Sequence, residues 1–390
     1  MIPKPQSFEL SAKLKALFAL LVVVGAVAFI TGLKIDADRA WSNYLLNYFY
    51  WLCLGLAGVF FAALQHITAS YWSVTVRRVG EAFIAYLPVA AVLFIVLLFG
   101  SHHLYEWTHP HIMEEDPLLG LKKAYLNVPF FVIRAVLLFA VALGLGGWMV
   151  KNSVQQDKNG EARLTLLNTK ISAPFLLLFA IAFTLVAVDL MMSLAPHWFS
   201  TIFGVYCWAG LFYSGLAMIA IWTIALRKKG ILAPFVTDDH LHDLGKLMFA
   251  FLVFWGYIAF SQYMLIWYAN LPEETPYMIA RTQGAWKPVS VALMLVKFVI
   301  PFFLLVSRPA KRKENWLMFI AFWFLGAQWL DIYWMVFPAH FDKPVFGFME
   351  IGMFLGFAGI FFLSVGGFLR KVNVVPVQDP WLEQCLHHHQ

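Results

Sequence analysis

The sequence predicts an all-α, polytopic membrane protein with about ten transmembrane helices, and three observations lead to this prediction. Hydrophobic residues make up 61% of the 390-residue chain, whereas charged residues make up only 13%. The chain contains 38 Phe and 16 Trp, which is more apolar surface than a soluble fold of this length can bury. Ten apolar segments, each long enough to cross a bilayer, are separated by mostly short polar connections. This pattern excludes intrinsic disorder, a disulfide-rich secreted domain and a nucleic-acid-binding protein.

The predicted spans follow from hydropathy, and they divide a single integral membrane domain over residues 1–390. They cover residues 14–32, 43–66, 82–104, 127–150, 171–194, 200–226, 246–270, 286–307, 315–337 and 345–369, followed by a tail over 370–390. The first span follows Lys13 and Lys15 and resembles a signal peptide. We expect it to be retained, because it is of span length and no small-residue cleavage site follows it.

The distribution of Lys and Arg between alternate loops predicts the orientation of the chain. Four residues inside or bordering spans are set aside for this count: Arg134, Lys246, Lys287 and Lys297. Of the remainder that we assigned to loops, eighteen fall on one side and six on the other. The positive-inside rule therefore places both termini in the cytoplasm.

No cofactor-binding pattern stands out. Cys53, Cys207 and Cys385 form no CxxC pair, so covalent haem, an iron-sulfur cluster and structural zinc are not expected in this chain. The histidines lie near the ends of spans rather than facing each other at mid-depth, as a haem b would require. Within the loop over residues 105–126, a run of two histidines and three carboxylates fits either a solvated docking surface or a metal site. These are His109, His111, Glu114, Glu115 and Asp116.

Ionisable residues inside spans are the strongest functional candidates, because a charge in hydrocarbon is costly without a partner. Lys297 lies about eleven residues into its span, roughly 16 Å deep. We expect a carboxylate, a hydroxyl or a water-filled cavity beside it, serving either a proton path or a structural ion pair. Asp189 and Asp331 lie near the non-cytoplasmic ends of spans 5 and 9. Arg134 either extends to the interface or pairs with one of these aspartates.

The two aspartates occupy related positions if spans 2–5 (residues 43–194) and spans 6–9 (residues 200–337) form two four-helix bundles. They can also be structural acids near the interface. His197, in the turn after span 5, is a candidate proton-exchange partner for Asp189. It is nearly as consistent with an interfacial histidine that is satisfied by water.

Further polar residues could extend a proton path from Lys297 to both membrane faces. Candidates for a cytoplasmic entrance are His66, Asp239, His242 and Lys246, accompanied by Glu81, Asp238, His240 and Asp243. At mid-depth the candidates are Tyr257, Gln262 and Tyr263, with Ser261. Helix capping by the aspartates and helix-helix hydrogen bonding by the tyrosines explain some of these residues equally well.

Four stretches carry a resemblance to a known family. LQHITASYWSVTVRRVGEAF, VDLMMSLAPHWFSTIFGVY, DDHLHDLGKLMFAFLVFWGYIAFSQYMLIWYANLPEETPY and QWLDIYWMVFPAH resemble the NrfD-like family of polysulfide reductase membrane subunits. Within that family they are most similar to the ActF-type subunits of bacterial alternative complex III. The resemblance covers most of the chain, from span 2 to span 9. Ala195 departs from the acidic residue that is common at its position in the family.

The resemblance implies two four-helix bundles flanked by the first and last spans, in a complex that oxidises quinol. Implied partners are an NrfD-like sister membrane subunit (ActC), an iron-sulfur subunit, haem c subunits and lipid. It implies no redox cofactor in this chain, although such subunits are commonly described as quinone-binding. The positions that match the family's proposed proton half-channels are His66, Asp189, His197, His242, Lys246, Lys297 and Asp331.

We therefore expect a cofactor-free subunit of a quinol:cytochrome c (or terminal oxidase) oxidoreductase that contributes a proton path and is not catalytic alone. One alternative is direct quinol binding, with His197, Asp189 and Asp331 near the headgroup. A second alternative is a secondary transporter, which also uses intramembrane charges and duplicated bundles. The third alternative is a purely structural anchor.

Overall fold

The computed structural model describes residues 8–389, which are 81% helical and contain no strand. Lys4, one of the residues counted for the orientation, lies outside this range. Ten helices are long and apolar enough to cross a membrane, so the chain is an all-α, multi-pass membrane protein. These helices are α1 Ala12–Ile35, α2 Ala37–Ile67, α3 Tyr71–Phe99, α4 Val128–Asn159, α5 Arg163–Leu194, α6 Phe203–Lys228, α7 Asp238–Ala269, α8 Gly284–Leu305, α9 Glu314–Ala339 and α10 Phe348–Leu369.

The predicted number of spans is confirmed, and their ends differ where polar residues continue a helix. Helix α3 begins at Tyr71 instead of residue 82, because its first turns contain buried charges that hydropathy counts against a span. Helix α4 continues through a polar stretch to Asn159 and ends at Gly160, whose φ of 65° suits glycine best. Helix α7 likewise begins at Asp238, where the side chain of Thr237 and that of His240 form a capping box.

Helices α2 and α6 form the centre of the molecule. The most apolar windows of α2 and α6 are 100% and 94% buried, and the two helices pack against each other. Helices α3, α4 and α5 surround α2, while α7 and α9 pack on α6 and α8 lies against α7 and α9. In helices α4 and α8 a π-helical segment interrupts the α-helix, over Ala140–Gly146 and Leu295–Val299 respectively. Such segments are frequent at functional sites.

Helices α1 and α10 form an antiparallel pair at the edge of this core. A Cβ atom added to Gly25 would lie 2.5 Å from the Cα atom of Gly356, so the two backbones touch there. Arg39 and Asn43 of α2 both donate hydrogen bonds to Glu350 of α10, which attaches the pair to the core. We call the membrane face where α1 begins and α10 ends the terminal side, and the other face the opposite side.

Buried ion pairs join the tail to α3 and α4 on the terminal side. Arg77 contacts Asp379 at 2.5 Å, and Arg78 contacts Glu81 at 2.9 Å and Asp157 at 3.0 Å. A buried guanidinium needs such partners, because an unpaired charge in a low-dielectric interior is costly. Arg77 and Arg78 are therefore packing residues as well as contributors to the charge asymmetry between loops.

Candidate functional site

The clearest candidate site is an ionic group inside the second set of helices. Lys297 of α8 is 0% exposed, and its Nζ forms an ion pair with Asp331 of α9. The same Nζ donates a hydrogen bond of 2.6 Å to Oε1 of Gln328, one turn before Asp331. Tyr206 of α6 donates to the other carboxylate oxygen of Asp331. Three helices thus converge on one lysine and one carboxylate, each with polar partners, as buried charges require.

The local backbone explains how the lysine reaches this position. Lys297 lies within the π-helical segment of α8, where the helical repeat differs from that of a regular α-helix, and its side chain meets residues of α9. Gly210 leaves room for Gln328, because an added Cβ atom would lie 2.7 Å from its amide nitrogen. The rings of Trp255 and Tyr213 lie 4.1 Å and 5.2 Å from Nζ, so cation–π contacts add to the ion pair.

A second ionic group occupies a related place in the first set of helices. Arg134 of α4 contacts Asp189 of α5 at 2.5 Å and donates to the backbone carbonyl of Tyr125 at 3.0 Å. The guanidinium carbon of Arg134 lies 3.9 Å from the centre of the Tyr125 ring. Of the two interpretations of Arg134, the structure therefore has the ion pair, with Asp189.

The two ionic groups occupy corresponding places in the two sets of helices. In both sets of four helices, the third helix supplies the base and contains a π-helical segment, and the fourth supplies the aspartate near the opposite side. The bases differ in chemistry, since a guanidinium holds its proton permanently whereas an ammonium can release it. Only the group around Lys297 is therefore suited to proton exchange through its base.

The turn after α5 does not bring His197 to Asp189. Nε2 of His197 lies 3.0 Å from the carboxylate of Asp116, and the imidazole is half exposed. Asp116 also caps the short helix Pro117–Leu121. Nearby, Lys122 donates to the carbonyl of Pro196, and partial burial lowers the pKa of Lys122. This region forms a cap on the opposite side. Within residues 8–389, no group of three or more His, Cys, Asp or Glu side chains is arranged to hold a metal ion.

The relay residues expected on α7 fall on different faces of the helix. Gln262 is buried and approaches Ser200 at 3.4 Å, whereas Tyr257 is 64% exposed and Tyr263 is 43% exposed. Gln262 therefore remains a candidate for a path inside the bundle. The exposed position of Tyr257 fits contact with lipid better, whereas Tyr263 lines the cavity described below.

A cluster of titratable groups lies at the terminal-side end of α7. Asp239 forms an ion pair with Arg312, and Asp243 contacts Lys246 at 2.6 Å. His242 is half-buried on the same helix. His66 of α2 is buried farther away, where Asn168 of α5 approaches its Nε2 at 3.3 Å.

The terminal-side cluster also includes residues that the sequence did not indicate. The tail folds back over α7, and Nε2 of His388 lies 2.6 Å from the second carboxylate oxygen of Asp243. Nε2 of His240 lies 3.3 Å from Sγ of Cys385. Charge pairing could have suggested an acidic partner for the histidine-rich tail, but no spacing in the sequence identifies which one.

A cavity of about 400 Å³ lies beside the Lys297 group and opens between α7 and α8. Its inner wall includes Tyr206, Trp255 and Gln262, and its rim includes the exposed Phe260 and Met294. Trp255 is buried, and its indole N–H has no hydrogen-bond partner among residues 8–389. The cavity is thus an apolar space with a few hydrogen-bonding groups at its inner wall, which is typical of sites for small lipid-soluble molecules.

The opposite-side end of this cavity is lined by a helix between α7 and α8, Thr275–Thr282. The ring of Tyr277 stacks on that of Trp198, with ring centres 3.7 Å apart. The guanidinium carbon of the buried Arg281 lies 3.5 Å from the centre of the Tyr277 ring. Burial raises the pKa of Tyr277 to about 12, so its hydroxyl stays protonated near neutral pH.

In comparisons with known proteins, no family model matches this chain. A comparison with curated proteins likewise finds no match.

Proposed function

We propose that this chain is the cofactor-free membrane subunit of a quinol:cytochrome c (or terminal oxidase) oxidoreductase of the alternative complex III type, and that it carries protons across the membrane. The observation that supports this proposal is the fully buried Lys297, paired with Asp331 and linked through it to Tyr206. A charge of this kind in a transmembrane helix is a functional candidate, and ionisable chains are typical of proton relays.

The chemistry of the proposed step is a proton transfer within the ion pair. The ammonium group of Lys297 gives one proton to Oδ2 of Asp331, which leaves a neutral amine and a neutral carboxylic acid. Gln328 holds Nζ in place through the exchange, and Tyr206 keeps the other carboxylate oxygen hydrogen-bonded. Tyr206 lies three residues after the start of α6, near the opposite side, so a proton that leaves Asp331 through Tyr206 moves toward that side. The amine then recovers a proton that comes from the terminal side.

In this proposal the terminal side faces the cytoplasm of a bacterial inner membrane, as the Lys and Arg distribution suggests. Protons enter near Asp239, His242, Asp243 and Lys246, and leave toward the aspartates and His197. The sister membrane subunit, the iron-sulfur subunit and the haem c subunits supply quinol oxidation and electron transfer. This chain supplies the proton path.

The test replaces Lys297 in the assembled complex, purified from membranes and reconstituted in vesicles with a short-chain quinol as electron donor. Lys297→Met should lower the ratio of protons moved to electrons transferred while electron transfer continues. Lys287→Met is the matched control, because Lys287 lies on the same helix but is exposed. The double variant Lys297→Met with Asp331→Asn should show the same loss without leaving an unpaired carboxylate. An unchanged ratio in both Lys297 variants would contradict the proposal.

A second candidate function is direct quinone binding, and the cavity beside Trp255 is the observation that favours it. Its volume of about 400 Å³ lies within the usual range for ligand pockets, roughly 300–1,000 Å³. It opens where a lipid-soluble ring can enter from the bilayer, and the side-chain amide of Gln262 in its inner wall can donate to a ring carbonyl. Tyr206, which lines the same cavity, connects such a ligand to Asp331.

A filled cavity distinguishes this second function from the first. Ala259→Trp places a large ring in the cavity, whereas Ile181→Trp adds the same ring on the exposed surface of α5. If a quinone binds there, photolabelling by an azidoquinone should be lost from α7 and α8 only in Ala259→Trp. Labelling that persists in Ala259→Trp would exclude the cavity as the quinone site.

A further inference from the structure

The C-terminal segment of residues 377–389 lies across the terminal-side ends of both sets of helices. In the first set, the backbone N–H of Val377 donates to Asp157 of α4 at 3.0 Å, and Asp379 pairs with Arg77 of α3. Sγ of Cys385 approaches the carbonyl of Trp72 at 3.0 Å. Several anchors therefore hold this segment before the chain reaches its last histidines.

Beyond these anchors, His388 reaches the proposed proton entrance on α7. Its Nε2 lies 2.6 Å from Oδ2 of Asp243, whose other oxygen contacts Lys246 at 2.6 Å. The imidazole ring of His388 packs edge-on against Tyr71 and His240, with ring centres 5.6 Å apart in both cases. His388 is only 8% exposed, so the segment places a titratable ring at an otherwise covered carboxylate.

The next residue connects this position to water. His389 is exposed, and its Nδ1 lies 3.9 Å from the carboxylate of Asp239, which is paired with Arg312. The charged and titratable groups around His388 are thus Asp239, His240, Asp243 and Lys246 on α7, Tyr71 at the start of α3, and Cys385 and His389 in the segment itself.

We propose that His388 is the residue that delivers protons from water to Asp243, so that the C-terminal segment is part of the proton entrance. This inference rests on the proton path proposed above and adds its first step. The imidazolium of His388 gives the proton on Nε2 to Oδ2 of Asp243, which leaves a neutral imidazole and a neutral carboxylic acid. The imidazole then regains one proton from the aqueous side, where His389 and buffer are donors. Histidine suits this exchange because its ordinary pKa lies near neutral pH.

A purely structural role for His388 makes different predictions. The segment is already held by Asp379, Val377 and Cys385, so the hydrogen bond from His388 is not its only attachment. If His388 only anchors the segment, its replacement should loosen the segment, and free imidazole should not restore function. If it transfers protons, the segment should stay in place and imidazole should restore part of the rate.

The experiment measures the rate of proton uptake by the assembled complex in vesicles, with any affinity handle kept away from the C-terminal segment. His388→Ala should slow uptake about tenfold at pH 8, less than the roughly 10²–10⁴-fold effect of a positioned acid or base, because exposed groups nearby partly substitute. The loss should shrink at pH 6, where protons are more abundant. Imidazole at millimolar concentration should recover part of the lost rate. His387→Ala, at the exposed neighbouring histidine, is the matched control and should leave the rate unchanged.

Two further measurements separate the outcomes. Alkylation of Cys385 reports whether the segment stays docked, since this thiol belongs to the segment and is buried against the start of α3. If His388→Ala exposes Cys385, His388→Gln provides a second variant that keeps a hydrogen-bond donor but carries no exchangeable charge. Unchanged uptake in both variants, or a loss that imidazole does not restore, would overturn the role of His388. A loss of proton movement in Lys297→Met alongside normal uptake in the His388 variants would refute this inference while leaving the proposed function intact.

Discussion

The energetic coupling between Lys297 and Asp331 provides a direct test of the central ion pair. Both side chains are almost fully buried, at 0% and 1% exposed, so removing one partner leaves the other charged and unpaired in a low-dielectric interior. We expect Lys297→Met or Asp331→Asn alone to lower the free energy of unfolding by about 3–5 kcal/mol. The double variant should cost no more than either single variant, so the two changes should be non-additive by at least about 3 kcal/mol.

This coupling can be measured by reversible unfolding of the four proteins in mixed micelles, followed by circular dichroism. Lys287→Met, which removes an exposed lysine from the same helix, should change the stability by no more than about 0.5 kcal/mol. If the costs of the two single changes add within about 0.5 kcal/mol, then the side chains do not share a buried pair and our reasoning about this site is wrong.

Three other predictions follow from the helix packing, the tail and a half-buried histidine. Gly25→Ala should separate α1 from α10 and cost about 1–3 kcal/mol in unfolding measurements, whereas Gly326→Ala, which meets no atom within 4 Å, should cost nothing. Equal effects of the two alanines would contradict the close contact. Burial raises the pKa of Cys385, so its alkylation at pH 7 should be slow and should accelerate in Asp379→Asn, which weakens the attachment of the tail to Arg77. Fast alkylation of Cys385 in the unmodified protein would show that the tail is not docked. Burial lowers the pKa of His340, so the folded protein should lose stability as the pH falls below about 6.5, the pKa of an exposed histidine, and His340→Gln should reduce that loss. A stability profile between pH 7 and pH 5 that is identical in His340→Gln would contradict this assignment.

Hydropathy was sufficient to predict the number of helices, because each span must satisfy its own backbone and present apolar side chains. It placed the start of α3 incorrectly, since Arg77, Arg78 and Glu81 are polar residues that ion pairs allow to be buried. Hydropathy averages residues along the chain and cannot register partners that are distant in sequence.

For the candidate site too, the sequence indicated that partners were needed but did not identify them. The cost of burying a charge correctly indicated that Lys297 needed a partner and gave an ion pair as one of two interpretations of Arg134, but it did not identify the carboxylate that each would meet. The contact between His388 and Asp243 had no signal in the sequence, because 145 residues separate them and the tail has no periodic pattern. Similarly, the rotation of α7 about its axis decides that Gln262 faces the interior of the bundle and Tyr257 does not. Composition alone does not determine that rotation.

The antiparallel contact between α1 and α10 has a consequence for biosynthesis. During translation α1 leaves the ribosome long before α10, and only 17% of its most apolar window is buried in the finished protein. For most of the time the nascent chain is being made, this helix must therefore reside in lipid or beside the insertion machinery without its permanent neighbour. The surface around Gly25, which later packs against Gly356, is accessible during that interval. A chaperone or a misplaced helix can therefore bind the nascent chain at this surface before α10 is made.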